Sequence, residues 1–232
     1  MLAVAWDEPH PFTELHEFVS TLEIYGLAGF GWGVSWLADG KTREVRGLGR
    51  YVDEGYVDGG LRRDELGAAS SHRFLVHLRR PNKLSTVQLA DTQPFLHDGD
   101  YAFCHNGFLD RAEKFRPTYA SRLAGAADSE VGWVFLQDRL AAGAAPTEAL
   151  HEVDETFGGK VNLGYLGADG ELAVYSRNVS NAMWTFDMLG ARMATTGIHS
   201  DDDSIFRLVF PAATNPALVP SGTSVIIGRA ET

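Results

Sequence analysis

Residues 71–110 read SHRFLVHLRRPNKLSTVQLADTQPFLHDGDYAFCHNGFLD, two apolar runs that each deliver polar residues to a loop. The first run, 73–78, predicts a strand leading into His77, Arg79 and Arg80, and Pro81 lacks the N–H needed to continue a ladder. Residues 101–104 predict a second strand ending in His105-Asn106-Gly107. There a side-chain amide stands beside a backbone N–H that glycine leaves unobstructed, a pair able to hold a developing oxyanion. Asn-Gly is also a common hairpin turn, and that alternative stays open. Arg79 offers a planar fork that can grip a carboxylate through two parallel hydrogen bonds, against the plainer alternative of a surface ion pair. Chemistry is expected at these two loops.

Working outward, residues 2–6 predict a buried strand beginning almost at Met1, which places the first residues inside the fold. Thr13 predicts a helix cap followed by Leu15, Phe18, Val19 and Leu22 at helical spacing. The Gly-rich segment 26–33 leads into strand 32–37, a turn at Asp39-Gly40 and a second strand at 42–46. Residues 51–60 read as a surface loop, 61–69 as a short helix, and 79–92 as a long loop of the kind that binds substrates. Asp110, Asp128 and Thr147 predict the caps of three helices, the first split at Pro117 and the last ending near Gly158-Gly159. Strands follow at 161–166 and 172–176, joined by Asp169-Gly170, then at 182–186, 192–196 and 224–228. With no repeat or linker, the pattern predicts one α+β domain over 1–232, its sheets packed on each other with helices outside.

The 232-residue chain has a formal charge of -11, and its one close basic cluster is Arg79, Arg80 and Lys83, which excludes a nucleic-acid partner. No apolar run can span a bilayer and no basic stretch precedes an apolar core at the N-terminus, so a cytoplasmic protein without a membrane partner is expected. Cys104 is the only cysteine, which excludes an internal disulfide and a Cys-cluster metal site. Beside Phe103 in an apolar strand it reads as a packed small hydrophobe and not as a displaced nucleophile. His97, Asp98, Asp100 and the run 201–203 lack calcium-loop spacing and read as solvated turns, so no metal and no cofactor is expected. His77 and His105 read as structural histidines.

A strand ending in His-X-Arg, then Thr92-Gln93-Pro94-Phe95, then a strand ending in His-Asn-Gly, then Asp128-Ser129-Glu130 resembles, in that order, the class II glutamine amidotransferases, closest to their small stand-alone branch. The resemblance runs from the first strand to about Asn162. It implies the four-layer αββα sandwich of N-terminal nucleophile hydrolases, and an amide hydrolysis releasing ammonia from glutamine or a γ-glutamyl amide. Arg79 then holds the α-carboxylate, Asp128 the α-ammonium, and Asn106 and Gly107 form the oxyanion hole. Met1, Trp32 and Gly33 of Gly31-Trp32-Gly33, and His105 then stand near the site, although Phe30 occupies a position where many relatives carry Asp. The family opens Met-Cys, whereas this chain opens Met1-Leu2-Ala3, so the nucleophile is absent as written. A start a few codons earlier, bringing the Cys with it, is expected. The alternative is a non-catalytic member that keeps the amino-acid pocket as a binding or regulatory subunit. An ammonia-accepting partner protein is the one further partner implied.

Overall fold

The computed structural model describes residues 1–54, 61–81 and 83–229, with the side chains of 54 and 61–64 also left aside. Asn82 and most of the loop expected at 51–60 lie outside the described residues. In chain order the strands are β1 (Leu2–Pro11), β2 (Trp32–Ala38), β3 (Lys41–Gly47), β4 (Ser70–Leu78), β5 (Phe95–His97) and β6 (Tyr101–Leu109). They continue as β7 (Gly159–Gly167), β8 (Leu172–Ser176), β9 (Trp184–Met188), β10 (Ala191–Thr195), β11 (Thr214–Leu218) and β12 (Thr223–Gly228). The helices are α1 (His16–Tyr25), α2 (Tyr51–Glu54), α3 (Leu61–Ala68), α4 (Ala112–Tyr119), α5 (Asp128–Ala141), α6 (Pro146–Phe157) and α7 (Asp203–Val209).

Among the described residues the strands form a seven-stranded sheet, ordered β11-β9-β10-β1-β4-β2-β3, and a five-stranded sheet, β12-β8-β7-β6-β5. Three apolar clusters separate four layers. Phe12, Leu15, Val19 and Leu22 carry α1 and the turn before it onto the outer face of the larger sheet, together with Phe206 of α7. Val131, Val134, Leu150 and Val153 bring α5 and α6 onto the outer face of the smaller sheet. Between the sheets lie small residues, Ala3, Ala5, Ala102, Cys104 and Ala194, alongside Met1 and Leu75. Small side chains let the sheets approach closely, and Gly164 marks the tightest place: a Cβ there would meet Leu75 Cδ1 at 2.8 Å, Cys104 Sγ at 2.9 Å and Met1 Sδ at 3.1 Å. This is the α+β, αββα architecture expected from the sequence.

β1 lies mid-sheet, with Leu2 paired to Val76 of β4 on one side and Thr195 of β10 on the other. Its N-terminal end therefore emerges beside the C-terminal ends of β4 and β10. The hairpin at Asp39-Gly40 has φ of 55° and 69°, as the two-residue turn requires.

Helix starts differ from the expected ones. Leu15, Arg111, Ala127 and Ala145 occupy the cap positions of α1, α4, α5 and α6, none with a side-chain cap bond, and Pro146 opens α6. Thr13 lies in a short 3-10 turn before α1, and Pro117 sits inside α4 without ending it. β6 does not stop at His105-Asn106-Gly107. It pairs with β7 through Leu109↔Gly159, which excludes the hairpin-turn alternative. Strands β5 and β11 and helix α7 were not anticipated, and the run 201–203 is no simple turn, because Asp202 accepts the Ser204 N–H as the α7 cap.

Candidate active site

Where β4 ends, Arg79 donates its backbone N–H to the Gly31 carbonyl at 2.8 Å and accepts from Phe30 N at 3.3 Å, so the Gly-rich segment before β2 sets its position. The guanidinium is buried, and its described hydrogen-bond partners are neutral: Thr86 Oγ1 at 2.9 Å, the Gln88 carbonyl at 3.4 Å and Thr92 Oγ1 at 3.5 Å. Burial lowers its pKa, and the fields of Asp91 and then Asp128 oppose that. A buried guanidinium stays charged. A charge held this way, with no carboxylate bonded to it among the described residues, is prepared for an incoming one.

Asp128 opens α5 and uses its side chain elsewhere, with Oδ2 accepting the Leu109 N–H at 2.7 Å. It lines one cavity with Arg79, Asp91, Gln93, Asn106 and Gly107, of about 90 Å³. Asp91, which sequence reasoning passed over although it directly precedes Thr92-Gln93-Pro94-Phe95, is fully buried. Its Oδ1 accepts from Ala126 N at 2.8 Å and Ala127 N at 2.7 Å, and its Oδ2 from Gln88 Nε2 at 2.8 Å. Gln93 accepts the His105 N–H on its Oε1 at 2.5 Å, tying the same loop to β6.

On β6, Asn106 Oδ1 accepts from Asn181 Nδ2 at 2.7 Å and from Asn162 Nδ2 at 3.5 Å. Asn162 in turn donates to the Asn181 carbonyl at 2.8 Å and accepts the N–H groups of Arg177 and Asn178. These bonds occupy the Asn106 oxygen, and the residue lines the cavity. Gly107 has φ of 142°, and a Cβ there would stand 1.7 Å from the Lys160 carbonyl oxygen. Only glycine fits beside β7 at this point.

His105 is buried on the α5 side, its Nδ1 2.9 Å from Ser129 Oγ and its Nε2 3.3 Å from the Lys160 carbonyl. Donation from Nε2 to that carbonyl leaves Nδ1 to accept the Ser129 hydroxyl. Burial depresses its pKa, with Asp128 opposing. His77 is depressed further, by burial first and then by the α-amine, Arg79 and His105. Both rings are therefore neutral at neutral pH. Met1 lines a second cavity that shares Asn106 and Gly107 with the first, and its α-amine lies 3.2 Å from Thr196 Oγ1. Cys104 is fully buried, and burial pushes its thiol up to about 12.

Trp32 and Gly33, expected near the site, line neither cavity. Trp32 points into the outer core, edge-on to Tyr51 at 5.5 Å, because successive residues of β2 alternate between its faces. A Cβ on Gly33 would meet the Gln93 carbonyl oxygen at 2.2 Å, so that strand supports the 92–94 loop from behind. The structure thus brings Arg79, Asp128, Asn106 and Gly107 to one cavity and Met1 to its neighbour. It adds Asp91 and Gln93, whose only sequence signal was their place at or beside a motif, and Asn162 and Asn181, which carried none.

Among described residues no helix is long and apolar enough to cross a membrane. No curated protein matches the chain. Solved structures do, at sequence identities that speak to fold alone. Glutamine phosphoribosylpyrophosphate amidotransferase from B. subtilis, complexed with ADP and GMP, gives a TM-score of 0.71 at 17% identity, over 98% of this chain and 46% of that one. A class-II glutamine aminotransferase domain protein from Silicibacter pomeroyi gives 0.61 at 14% identity, over 98% and 94%. A predicted glutamine amidotransferase from Pseudomonas aeruginosa gives 0.52 at 16%, over 98% and 96%. The chain thus spans a little under half of the B. subtilis enzyme and nearly the full length of the other two. The family model for class-II glutamine amidotransferases matches residues 14–186, most of the chain. This protein belongs to the class II glutamine amidotransferases.

Proposed function

We propose that the cleft binds glutamine, or the glutamyl end of a γ-glutamyl amide, and serves hydrolysis of its side-chain amide with release of ammonia. The α-carboxylate pairs with Arg79, the α-ammonium with Asp128, and the amide carbonyl points at Asn106 and Gly107. The observation that carries this reading is the presence on the walls of one cavity of a buried guanidinium that bonds no carboxylate among the described residues, two carboxylates, and an asparagine whose oxygen is already engaged. Charge complementarity fixes which way round the amino acid enters.

Hydrolysis adds a nucleophile to the amide carbon, moves charge onto the carbonyl oxygen and expels ammonia once the nitrogen is protonated. Asn106 stabilises the charged oxygen, a kind of donor whose loss costs on the order of 10²–10³ in turnover. β1 advances about 3.4 Å per residue. A Cys carried one or two positions ahead of Met1 on the same line would therefore stand in the cavity beside Asn106. Water then cleaves the thioester so formed, freeing the γ-carboxylate and the thiol, and the ammonia leaves to solvent or to a partner protein. Residues 1–232 alone bind without turning over, because Met1 places a thioether among the sheets and brings no thiol or hydroxyl to the first position. The second reading is a binding or regulatory member of the family that keeps the same cleft.

Calorimetry with L-glutamine and L-glutamate tests the first step. Binding that Arg79→Ala abolishes is the expected result, and equal affinity in both proteins would remove Arg79 from the site. Ammonia release by residues 1–232, compared with a form carrying an upstream Met-Cys, separates the two readings.

A further inference from the structure

We infer that Asp91 is the positioning residue that sets the carboxylate-binding and ammonium-binding halves of the cleft at the spacing of an α-amino acid. The inference rests on the glutamine-binding reading and deepens it.

The two halves come from unrelated parts of the chain. Arg79 follows a strand of the larger sheet, and a loop wraps its guanidinium through Thr86 Oγ1, the Gln88 carbonyl and Thr92 Oγ1. The wrap is fastened from within: Thr86 donates to the Lys83 carbonyl at 2.7 Å and Thr92 to the Gln88 carbonyl at 3.0 Å. Asp128 stands on the first turn of α5, in the outermost layer on the other side. Asp91 joins them. One oxygen takes the N–H groups of Ala126 and Ala127, the residues directly before Asp128, and the other takes the side-chain amide of Gln88 inside the wrap. A charged acceptor of three N–H groups, fully buried, is among the strongest ties a protein can make. It holds a loop from one layer against a helix start from another, and it lines the cavity between them. An ammonium and a carboxylate on one carbon can satisfy Asp128 and Arg79 together only if that separation is fixed, and no other described side chain bonds both the wrap and residues 126–127.

Space around Asp91 is as restrictive as its bonding. A Cβ added at Gly125 would lie 2.1 Å from Asp91 Oδ1 and 2.8 Å from its Cγ, so Gly125→Ala displaces the carboxylate while leaving its chemistry intact. Asp91→Asn keeps the shape but swaps one acceptor for a donor. Gln88 is exposed, so Gln88→Ala removes one of the three bonds at little risk to folding.

The test measures affinity of the full chain for L-glutamine, for glutaramic acid, which lacks the α-ammonium, and for 4-aminobutanamide, which lacks the α-carboxylate. In the unaltered protein each analogue is expected to bind on the order of 100-fold more weakly than glutamine. In Asp91→Asn and Gly125→Ala, glutamine weakens on the order of 10–100-fold while both analogue penalties shrink, because the two ends no longer act together. Gln88→Ala moves the same way by less. A residue that merely supports the fold would lower thermal stability and leave the ratios alone. Folded variants whose affinity and both ratios stay within about twofold of the unaltered values overturn the role of Asp91. If Asp91→Asn and Gly125→Ala do not fold, unchanged ratios in Gln88→Ala overturn it. Absence of glutamine binding in the unaltered chain overturns the reading of the cleft, and this inference with it.

Discussion

The two sides of the cleft are built by different means. On the Asn106 side everything is strand: Asn106 and Asn162 face each other across the β6–β7 ladder, Gly107 fits only because of that register, and the Asn181 side chain completes the lock. On the Arg79 side everything is loop and helix start, held by side chains reaching across tens of residues, such as Asp91 to Ala127. The group that would meet developing charge is placed by the backbone, while the groups that would choose the ligand are placed by replaceable hydrogen bonds. Reaction geometry in such a design resists drift, and specificity can be retuned loop by loop.

Breaking the strand side should be the costlier insult. Gly107→Ala sets a Cβ against the Lys160 carbonyl and strains a backbone at φ of 142°, so a loss of about 3 kcal/mol or more is expected in denaturant unfolding. On the loop side, Arg79→Ala should leave the fold in place and weaken glutamine and glutamate by on the order of 100-fold or more, to where calorimetry registers no binding, as loss of a charge-assisted pair does. An unchanged calorimetric affinity would contradict the contrast.

The boundary between the sides is sensitive to acid. His77 and His105 are both depressed by burial, so below about pH 6.5 the unfolded chain takes up protons that the folded one refuses. Stability is full above that pH and falls as pH drops toward the lowered values, by at most about 1.4 kcal/mol per pH unit for each ring. Burial raises the carboxyls of Glu44 and Glu171, which work in the opposite sense. Urea midpoints from pH 7.5 to 5 for the unaltered chain and His77→Gln isolate the histidine share, and identical slopes would remove it. The smallest effect is expected from Asn181→Ala. It frees the Asn106 amide to rotate and costs about 1 kcal/mol, with a broadened Asn106 side-chain NH2 signal in NMR spectra as the sharper readout.

The sequence made the polar ends of β4 and β6 legible because an arginine and an Asn-Gly pair closing apolar strands are chemically out of place. It misled at helix starts. Thr13, Asp110, Asp128 and Thr147 all have cap chemistry, yet none occupies the cap position. The N–H groups ahead of α5 are instead satisfied by Glu130, which takes those of Ala124 and Gly125, and by Asp91, which takes those of Ala126 and Ala127. Capping from 35 residues away leaves no local trace. Nor did Asn106-Gly107 announce that its strand continues, since the partner that makes it a strand, β7, begins only at Gly159. The pocket residues carried by motif were visible, and those carried by tertiary contact were not.

Cys104 offers a use of its own. Its thiol lies between the two sheets with its acidity suppressed, so alkylating reagents reach it only when the sheets part. The labelling rate of this one native thiol is thus a clock for separation of the central layers. At low reagent concentration it follows the equilibrium between closed and parted forms, and at saturating reagent it levels off at the opening rate itself.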